Sequence, residues 1–253
     1  MRQTCLWHSV LCRTVRTLVV EHDPLSTPER VGAHLEKRGA TLEPFVVVED
    51  IGDPGVTASF PEDSYDLVVL MGSPWSVYED RVQGWLGPEL EFIRRRHAAG
   101  VPMLGICFGA QAMSAALGGK VSHAARPEYG WTDVGSATEH IAIGPWFQFH
   151  HDEFTLPAGA LELARNQSGV QSFRRGRGLA VQFHPEMTAE LLASWCRVEG
   201  GAEELIEAGR DPDRLIEESR LREIESQPGL ERMLDWFLEE VAGGGQMAIE
   251  GAG

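Results

Sequence analysis

The chain predicts an α/β fold with a mostly parallel central sheet, on three observations. Apolar strand-like runs alternate with helical stretches from Thr17 to Gly119, the rhythm of successive βα units. Residues with chemical potential sit where those runs end: Gly72 to Ser76 follow Met71, and Cys107 follows Ile106. Open parallel sheets place their active groups at such carboxyl ends. From Lys120 to Pro185 the pattern changes to short strands and turns, so the second half is expected to be more antiparallel.

The elements follow in order. Thr17–His22 reads as the first strand. Ser26-Thr27-Pro28-Glu29 reads as a capping box that opens a helix ending at Gly39. Leu42–Val48 and Tyr65–Met71 are the next strands, and Pro88–Ala99 is a helix closed by Gly100. Val101–Ile106 is a strand that runs into Cys107, and the apolar helix Ala110–Leu117 ends at Gly118-Gly119. Val170–Phe173 and Leu179–Phe183 read as a hairpin around Arg174-Arg175-Gly176-Arg177, and Ala189–Trp195 as a helix. Beyond Glu199, apolar residues recur at helical spacing through Leu205, Leu215, Leu230, Leu234 and Leu238. Asp211-Pro212 and Gln227-Pro228 are expected to break this stretch into about three helices. The domain reading is a flexible leader over 1–16, a core domain over 17–198, a helical extension packed on it over 199–242, and a disordered tail over 243–253.

Two segments carry chemistry. A strand–Cys–helix elbow holds the Cys107 thiol on a tight turn and aims a helix N-terminus at it, which favours the nucleophilic thiolate. Gly109, two residues on, leaves room for close approach to the backbone. Leu179-Ala180-Val181-Gln182-Phe183-His184-Pro185-Glu186 is an apolar strand ending in His-Pro-Glu. Pro185 stiffens the turn, so Glu186 can fold back onto the His184 ring and fix its tautomer. A thiol, a histidine and an orienting carboxylate make the constellation of covalent catalysis. Gly72-Ser73-Pro74-Trp75-Ser76, at a strand end, is a turn able to aim backbone N–H groups at an oxyanion.

Together these segments resemble the class I, triad-type glutamine amidotransferases, over about residues 17–198. The family's G-x-C-x-G-x-Q is matched by Gly105, Cys107, Gly109 and Gln111; its H-P-E by His184, Pro185 and Glu186; its G-G-P-x-S turn by Gly72, Ser73, Pro74 and Ser76. Leu117-Gly118-Gly119 and Glu128-Tyr129-Gly130-Trp131 are most similar to the glutaminase domain of GMP synthetases. The resemblance implies a three-layer, flavodoxin-like sandwich. It implies that Cys107 attacks the side-chain amide of glutamine and forms a γ-glutamyl thioester. The oxyanion would lie between the backbone N–H groups of Ser73, next to Gly72, and Phe108, while His184 passes a proton to the departing ammonia. Gln111, Glu128, Tyr129, Gly130, His150 and Asp152 would contact substrate.

Two positions depart from the pattern. Ser73 stands for the second glycine of the turn, a strain if φ must be positive. His151 stands for the glycine of a His-Gly-Asp segment and is expected to crowd the pocket rim.

The chain shows neither a P-loop nor the Ser-Gly-Gly-x-Asp-Ser loop of GMP synthetases. Ammonia is therefore expected to pass to a separate synthase. The alternative is a hydrolase of a γ-glutamyl amide or peptide, and a third reading is a non-catalytic regulatory module. No cofactor and no metal are expected; Cys5, His8 and Cys12 have ligand chemistry without the spacing of a zinc site.

The net charge of −16 argues against nucleic-acid or anionic-membrane partners. The arginine cluster around Gly176 reads as a solvated turn, with contact to an acidic partner as the functional alternative. The four cysteines form no disulfide framework, which suits a reducing cytoplasm. The C-terminal helices read first as cover for the sheet, with a homodimer surface as the functional alternative.

Overall fold

The computed structural model describes residues 15–135, 138–141 and 144–243. Residues 1–14 of the leader, with Cys5, His8 and Cys12, and the end of the tail lie outside them, while Val15 and Arg16, expected in the leader, are the first residues of a strand paired to Ala40 and Thr41. Among the described residues, nine strands and six α-helices are arranged in three layers. The strands are β1 (Val15–Glu21), β2 (Ala40–Val46), β3 (Leu67–Leu70), β4 (Met103–Ile106), β5 (Val121–Thr132), β6 (Trp146–Phe154), β7 (Leu161–Asn166), β8 (Gly169–Arg175) and β9 (Gly178–Val181). The helices are α1 (Glu29–Lys37), α2 (Gln83–Ala98), α3 (Phe108–Ala116), α4 (Ala189–Trp195), α5 (Gly201–Glu207) and α6 (Pro212–Trp236).

The main sheet runs β2-β1-β3-β4-β9-β8-β7. Its first five strands are parallel; at the far edge β8 runs antiparallel to both of its neighbours, β9 and β7. β5 and β6 form a separate antiparallel ribbon. β3, β4 and β9 are buried at every residue, as expected of parallel strands covered on both faces.

Side chains alternate between those faces. Val19, Val69, Leu104 and Leu179 pack with Val31 and Leu35 of α1 and with Leu230, Met233 and Leu234 of α6. Val20, Val68, Leu70 and Ala180 pack against Trp85 and Phe92 of α2 and Phe108 and Met113 of α3. β9 lies between β4 and β8, with Ile106 opposite Val181. That register brings the segment following β9 beside the residue following β4.

Three local expectations are corrected. Ser26 does not cap α1: its hydroxyl donates to Asp23 Oδ2 at 2.5 Å, and Pro28 occupies the cap position without a side-chain bond. The Asp23 carboxylate also accepts the Leu25 N–H at 2.7 Å, so a local Asx turn wins over the capping box. Helix α2 starts five residues before Pro88, which lies inside it. Helix α6 runs unbroken through Pro228. An interior proline costs about 3 kcal/mol. Burial of Leu230, Met233 and Leu234 on the sheet, at about 1.5–3 kcal/mol each, outweighs it. Asp211 does cap α6, accepting the Arg214 N–H at 3.1 Å, with Pro212 at the first helical position. Helices α5 and α6 therefore form two units after Glu199, followed by a π-helical turn at Phe237–Val241.

α6 is tied to α1 by polar contacts as well. His34 Nε2 lies 2.7 Å from Asp235 Oδ1, and the Arg30 guanidinium donates to the Gln227 side chain at 3.0 and 3.2 Å. No helix among the described residues is long and apolar enough to cross a membrane.

Glu21, at the end of β1, is 8% exposed. Burial, and then the nearby Asp23 charge, push its carboxyl up to about 7 from an ordinary value of 4.5. The fold thus favours the protonated acid. That contribution is complete below pH 4.5 and is lost as pH rises through about 7. Glu21→Gln is expected to raise the melting temperature at pH 8, by about 2–4 °C for each kcal/mol of relief. At pH 4.5 the same substitution should change it little. Thermal melts at the two pH values check this.

Candidate active site

Cys107 joins β4 to α3 with φ 50° and ψ −106°. L-residues rarely adopt a positive φ, and here the strand-to-helix elbow imposes it. The elbow is tight because two glycines let α3 rest on the sheet. A Cβ on Gly105 would lie 2.6 Å from Met113 Sδ, and one on Gly109 would lie 2.7 Å from the Leu70 carbonyl carbon. The Cys107 N–H donates to Val181 O at 2.8 Å, which fixes the elbow to the end of β9.

Three residues past β9, His184 turns back toward Cys107. Its own N–H donates to Phe147 O at 2.8 Å, pinning it to β6. Its Nδ1 lies 2.6 Å from Glu186 Oε1, with both side chains almost fully buried. Burial alone would lower the His184 pKa. The Glu186 charge, then the charge of Cys107 and hydrogen bonding to both, outweigh burial and push it up to about 10. His184 therefore holds its proton through neutral pH. Nε2, the nitrogen opposite Glu186, is the one left to interact with Cys107, so it faces the reacting group. The indole of Trp195 meets the His184 ring edge-on at 5.1 Å.

The turn after β3 completes the arrangement. A Cβ on Gly72 would lie 3.1 Å from His184 Cε1 and 3.9 Å from Cys107 Cβ. Ser73 is not among the described non-glycine residues with positive φ. The serine therefore carries no left-handed strain, and its hydroxyl accepts the Trp75 N–H at 3.2 Å, closing the turn. Among the described residues, the backbone N–H groups of Ser73 and Phe108 have no protein acceptor. They are two unpaired donors in the segments that flank the thiol.

A cavity of about 350 Å³ opens onto Cys107, Gly72, Ser73 and His184. Leu25, Ile51, Trp75, Phe149, Trp195 and Val198 give it apolar walls; Asp23, Arg81, Glu199 and Glu204 add charge. A smaller chamber of about 40 Å³ holds Cys107 with Gln111, His150, His151 and Asp152. Gln111 is not free there. Its Nε2 donates to Gln182 Oε1 at 3.3 Å, and Gln182 Nε2 donates to Cys107 Sγ at 3.5 Å. Sequence reasoning missed Gln182, whose one signal is a polar residue in an apolar strand.

The structure does not bring Glu128, Tyr129 and Gly130 to Cys107. They lie on β5 and line a separate cavity of about 500 Å³ with His123 and Arg210. Strand β6 stands between them and the thiol. The Glu128 carboxylate is engaged by Asn166 and Gln171 at 2.8–3.0 Å. Burial would raise its pKa, but hydrogen bonds from His150, Asn166 and Gln171 lower it.

His150 and His151 sit within β6. His150 is buried, with Nδ1 2.8 Å from Asp152 O. Asp152 accepts from Ser76 Oγ at 2.5 Å and Tyr78 Oη at 2.6 Å. His151 bridges the rim, 3.2 Å from both Ser76 Oγ and Glu204 Oε1. The hydrogen bond to Glu204 is the main cause of its raised pKa. Trp195, at the end of α4, and Glu204, in α5, are wall residues that the motifs did not flag.

Among the described residues no cluster of three or more His, Cys, Asp or Glu is arranged to hold a metal. The site as described comprises a thiol, an imidazole held by a carboxylate, and two unpaired N–H donors. Such a set suits acyl transfer through a thioester.

Comparison with known proteins agrees with this chemistry. Residues 31–193 match the family described as glutamine amidotransferase class-I. The chain is 32% identical over 176 residues to a γ-glutamyl-L-1-hydroxyisopropylamide hydrolase of a Pseudomonas species, covering 62% of this chain and 58% of that protein. It is 32% identical over 195 residues to the glutamine-hydrolysing GMP synthase of Azoarcus sp. strain BH72, covering 66% of this chain and 34% of that one. The match thus spans less than two thirds of either relative. A solved glutamine amidotransferase from Thermotoga maritima superposes with a TM-score of 0.76 at 26% identity, over 90% of this chain and 99% of that one. With a nucleophile elbow and a His-Pro-Glu turn meeting at one cavity, and with the matched region covering both, the chain belongs to the glutamine amidotransferase class-I family.

Proposed function

We propose that the protein hydrolyses the side-chain amide of glutamine through Cys107 and releases ammonia to a separate acceptor enzyme in a reducing, cytoplasmic setting. One observation carries the reading. The Cys107 thiol stands at a strained elbow facing a buried His184 whose far nitrogen is held by Glu186 at 2.6 Å. In the proposed reaction the Cys107 thiolate, its proton held on His184, attacks the amide carbon. The N–H groups of Ser73 and Phe108 receive the oxyanion. The protonated His184 gives its proton to the departing nitrogen, leaving a γ-glutamyl thioester. Neutral His184 then takes a proton from water, which attacks the thioester and frees glutamate. Glu186 keeps the imidazole oriented and balances its charge in both steps.

The wall of the 350 Å³ cavity at Cys107 supports a second reading, with the same steps and a larger leaving group. Leu25, Ile51, Trp195 and Val198 provide apolar surface around the reacting sulfur. That surface suits an alkylamine better than ammonia. The substrate would then be a γ-glutamyl alkylamide and no synthase would be needed. The relative named for γ-glutamyl-L-1-hydroxyisopropylamide hydrolysis is consistent with it.

Two assays on the purified protein test and separate the readings: intact-mass labelling with a diazo-ketone analogue of glutamine, and glutamate release from glutamine and from γ-glutamyl alkylamides. Labelling of Cys107 with turnover of glutamine supports the first. Fast turnover of the alkylamide alone supports the second. No labelling and no turnover of either would sink both. Glu186→Gln is expected to lower kcat by about 10⁴-fold, the scale seen when an orienting acid is neutralised, with KM within threefold. A change confined to KM would place Glu186 in substrate binding.

A further inference from the structure

The turn that carries Gly72 and Ser73 is held from behind by two side chains that lie outside the triad and outside the cavity. His22 follows β1 directly, and Glu89 lies in the middle of α2. Both side chains have no exposed surface. His22 Nδ1 is 2.9 Å from Gly72 O, and Nε2 is 3.0 Å from Glu89 Oε1. A carbonyl oxygen only accepts, so Nδ1 carries the proton and donates to Gly72. The ring is wedged against Phe108 at 4.6 Å and Trp85 at 5.5 Å, so its direction is fixed by packing as well.

The consequence follows from peptide geometry. In a planar trans peptide the carbonyl and the next N–H point to opposite sides. Tying the Gly72 carbonyl to His22 in the core therefore turns the Ser73 N–H away from the core. The outward side of this turn is where Gly72 faces His184 and Cys107. We propose that His22 and Glu89 are the positioning pair of the oxyanion hole: His22 fixes the Gly72–Ser73 peptide with the Ser73 N–H toward the reacting carbonyl, and Glu89 fixes His22. The proposal rests on the amide-hydrolysis reading. An apolar pair would be less costly to bury than this one. What the pair adds is a donor with a fixed direction. Burial would lower the His22 pKa, but the Glu89 charge and the hydrogen bonds to Glu89 and Gly72 raise it, which strengthens that donor.

Two double variants test the pair without leaving a buried charge unpaired. In His22→Asn/Glu89→Gln, the asparagine Nδ2–H takes the place of the Nδ1–H. In His22→Leu/Glu89→Gln, a side chain of similar size offers no donor. Relative to wild type, the leucine variant is expected to lose about 10- to 100-fold in kcat, on the scale of a misplaced oxyanion donor, with KM within twofold. The asparagine variant should recover most of that loss. Alkylation of Cys107 by iodoacetamide needs the thiolate but no oxyanion hole, so its rate should match wild type in both. Equal kcat in the two variants, or alkylation falling in step with kcat, would overturn the proposal. If wild type turns over no γ-glutamyl amide, the functional reading fails by itself, and the Ser73 amide resonance decides the structural claim. It should move in the leucine variant and return in the asparagine variant; no movement overturns the pair's role.

Discussion

Cys107→Ala is expected to abolish amide turnover, a fall in kcat of about 10⁶-fold, while leaving the protein folded and able to bind its γ-glutamyl ligand. The size follows from the mechanism: no other group in the cavity can form the thioester, and losing a nucleophile removes the contribution of its partners with it. Turnover near the wild-type rate would remove Cys107 from the reaction. The elbow adds a second expectation. At an ordinary position glycine is about 0.5–1 kcal/mol less stabilising than alanine because it is freer when unfolded. Residue 107 sits at φ 50°, where an L side chain costs about 1–2 kcal/mol. Cys107→Gly should therefore melt no lower than Cys107→Ala, and a clearly lower melting point would mean that the elbow relaxes once the thiol is gone.

Gly109→Ala is expected to be severely damaging for a single added methyl. The added Cβ would lie 2.7 Å from the Leu70 carbonyl carbon and 2.8 Å from Leu70 Cβ, inside contact distance of Leu70 O as well. Leu70 cannot retreat, because β3 is paired on both sides, to β1 and β4. Moving α3 instead would break the Gly109 N–H bond to Met71 O at 3.1 Å and shift Cys107 with it. A loss above about 4 kcal/mol, or about 10 °C or more in Tm for a chain of this size, is the expected result. Gly87→Ala is the matched control. It lies inside α2 with open space beyond its chain neighbours; the gain in helix propensity, about 0.5–1 kcal/mol, is opposed by the contact of the new Cβ with Pro88, so it should change stability by about 1 kcal/mol or less. Denaturant titration of both variants checks the contrast; equal effects would show that the helix–strand contact is not as tight as described.

The features legible in the sequence are those written locally. Cys107 between an apolar strand and an apolar helix, and His184-Pro185-Glu186 at another strand's end, need only a few residues each to declare themselves. The parallel core and the antiparallel hairpin around Gly176 were legible for the same reason: strand-length apolar runs punctuated by glycine. Wherever tertiary contacts compete with a local signal, the local reading failed. Pro228 signals a break, yet the burial of Leu230, Met233 and Leu234 carries α6 through it. Ser26 and Glu29 spell a capping box, yet the Asp23 carboxylate takes the hydroxyl. Glu128, Tyr129 and Gly130 sit in a motif of the right family, but the β5–β6 ribbon turns them to another cavity. His22 and Glu89 gave no signal at all, and Gln182 only that of a polar residue in an apolar strand, since each acts through a partner many residues away.

The position of β9 between β4 and β8 has a consequence for how the molecule is made. The ribosome delivers Cys107 before the strand that fixes its neighbours exists. At about 5–20 residues per second, some 4–15 s separate the emergence of Cys107 from that of His184. Until β9 inserts, the thiol has no imidazole beside it and no closed cavity around it, so the nascent chain carries an unactivated cysteine. Reactivity is installed by the same event that completes the sheet.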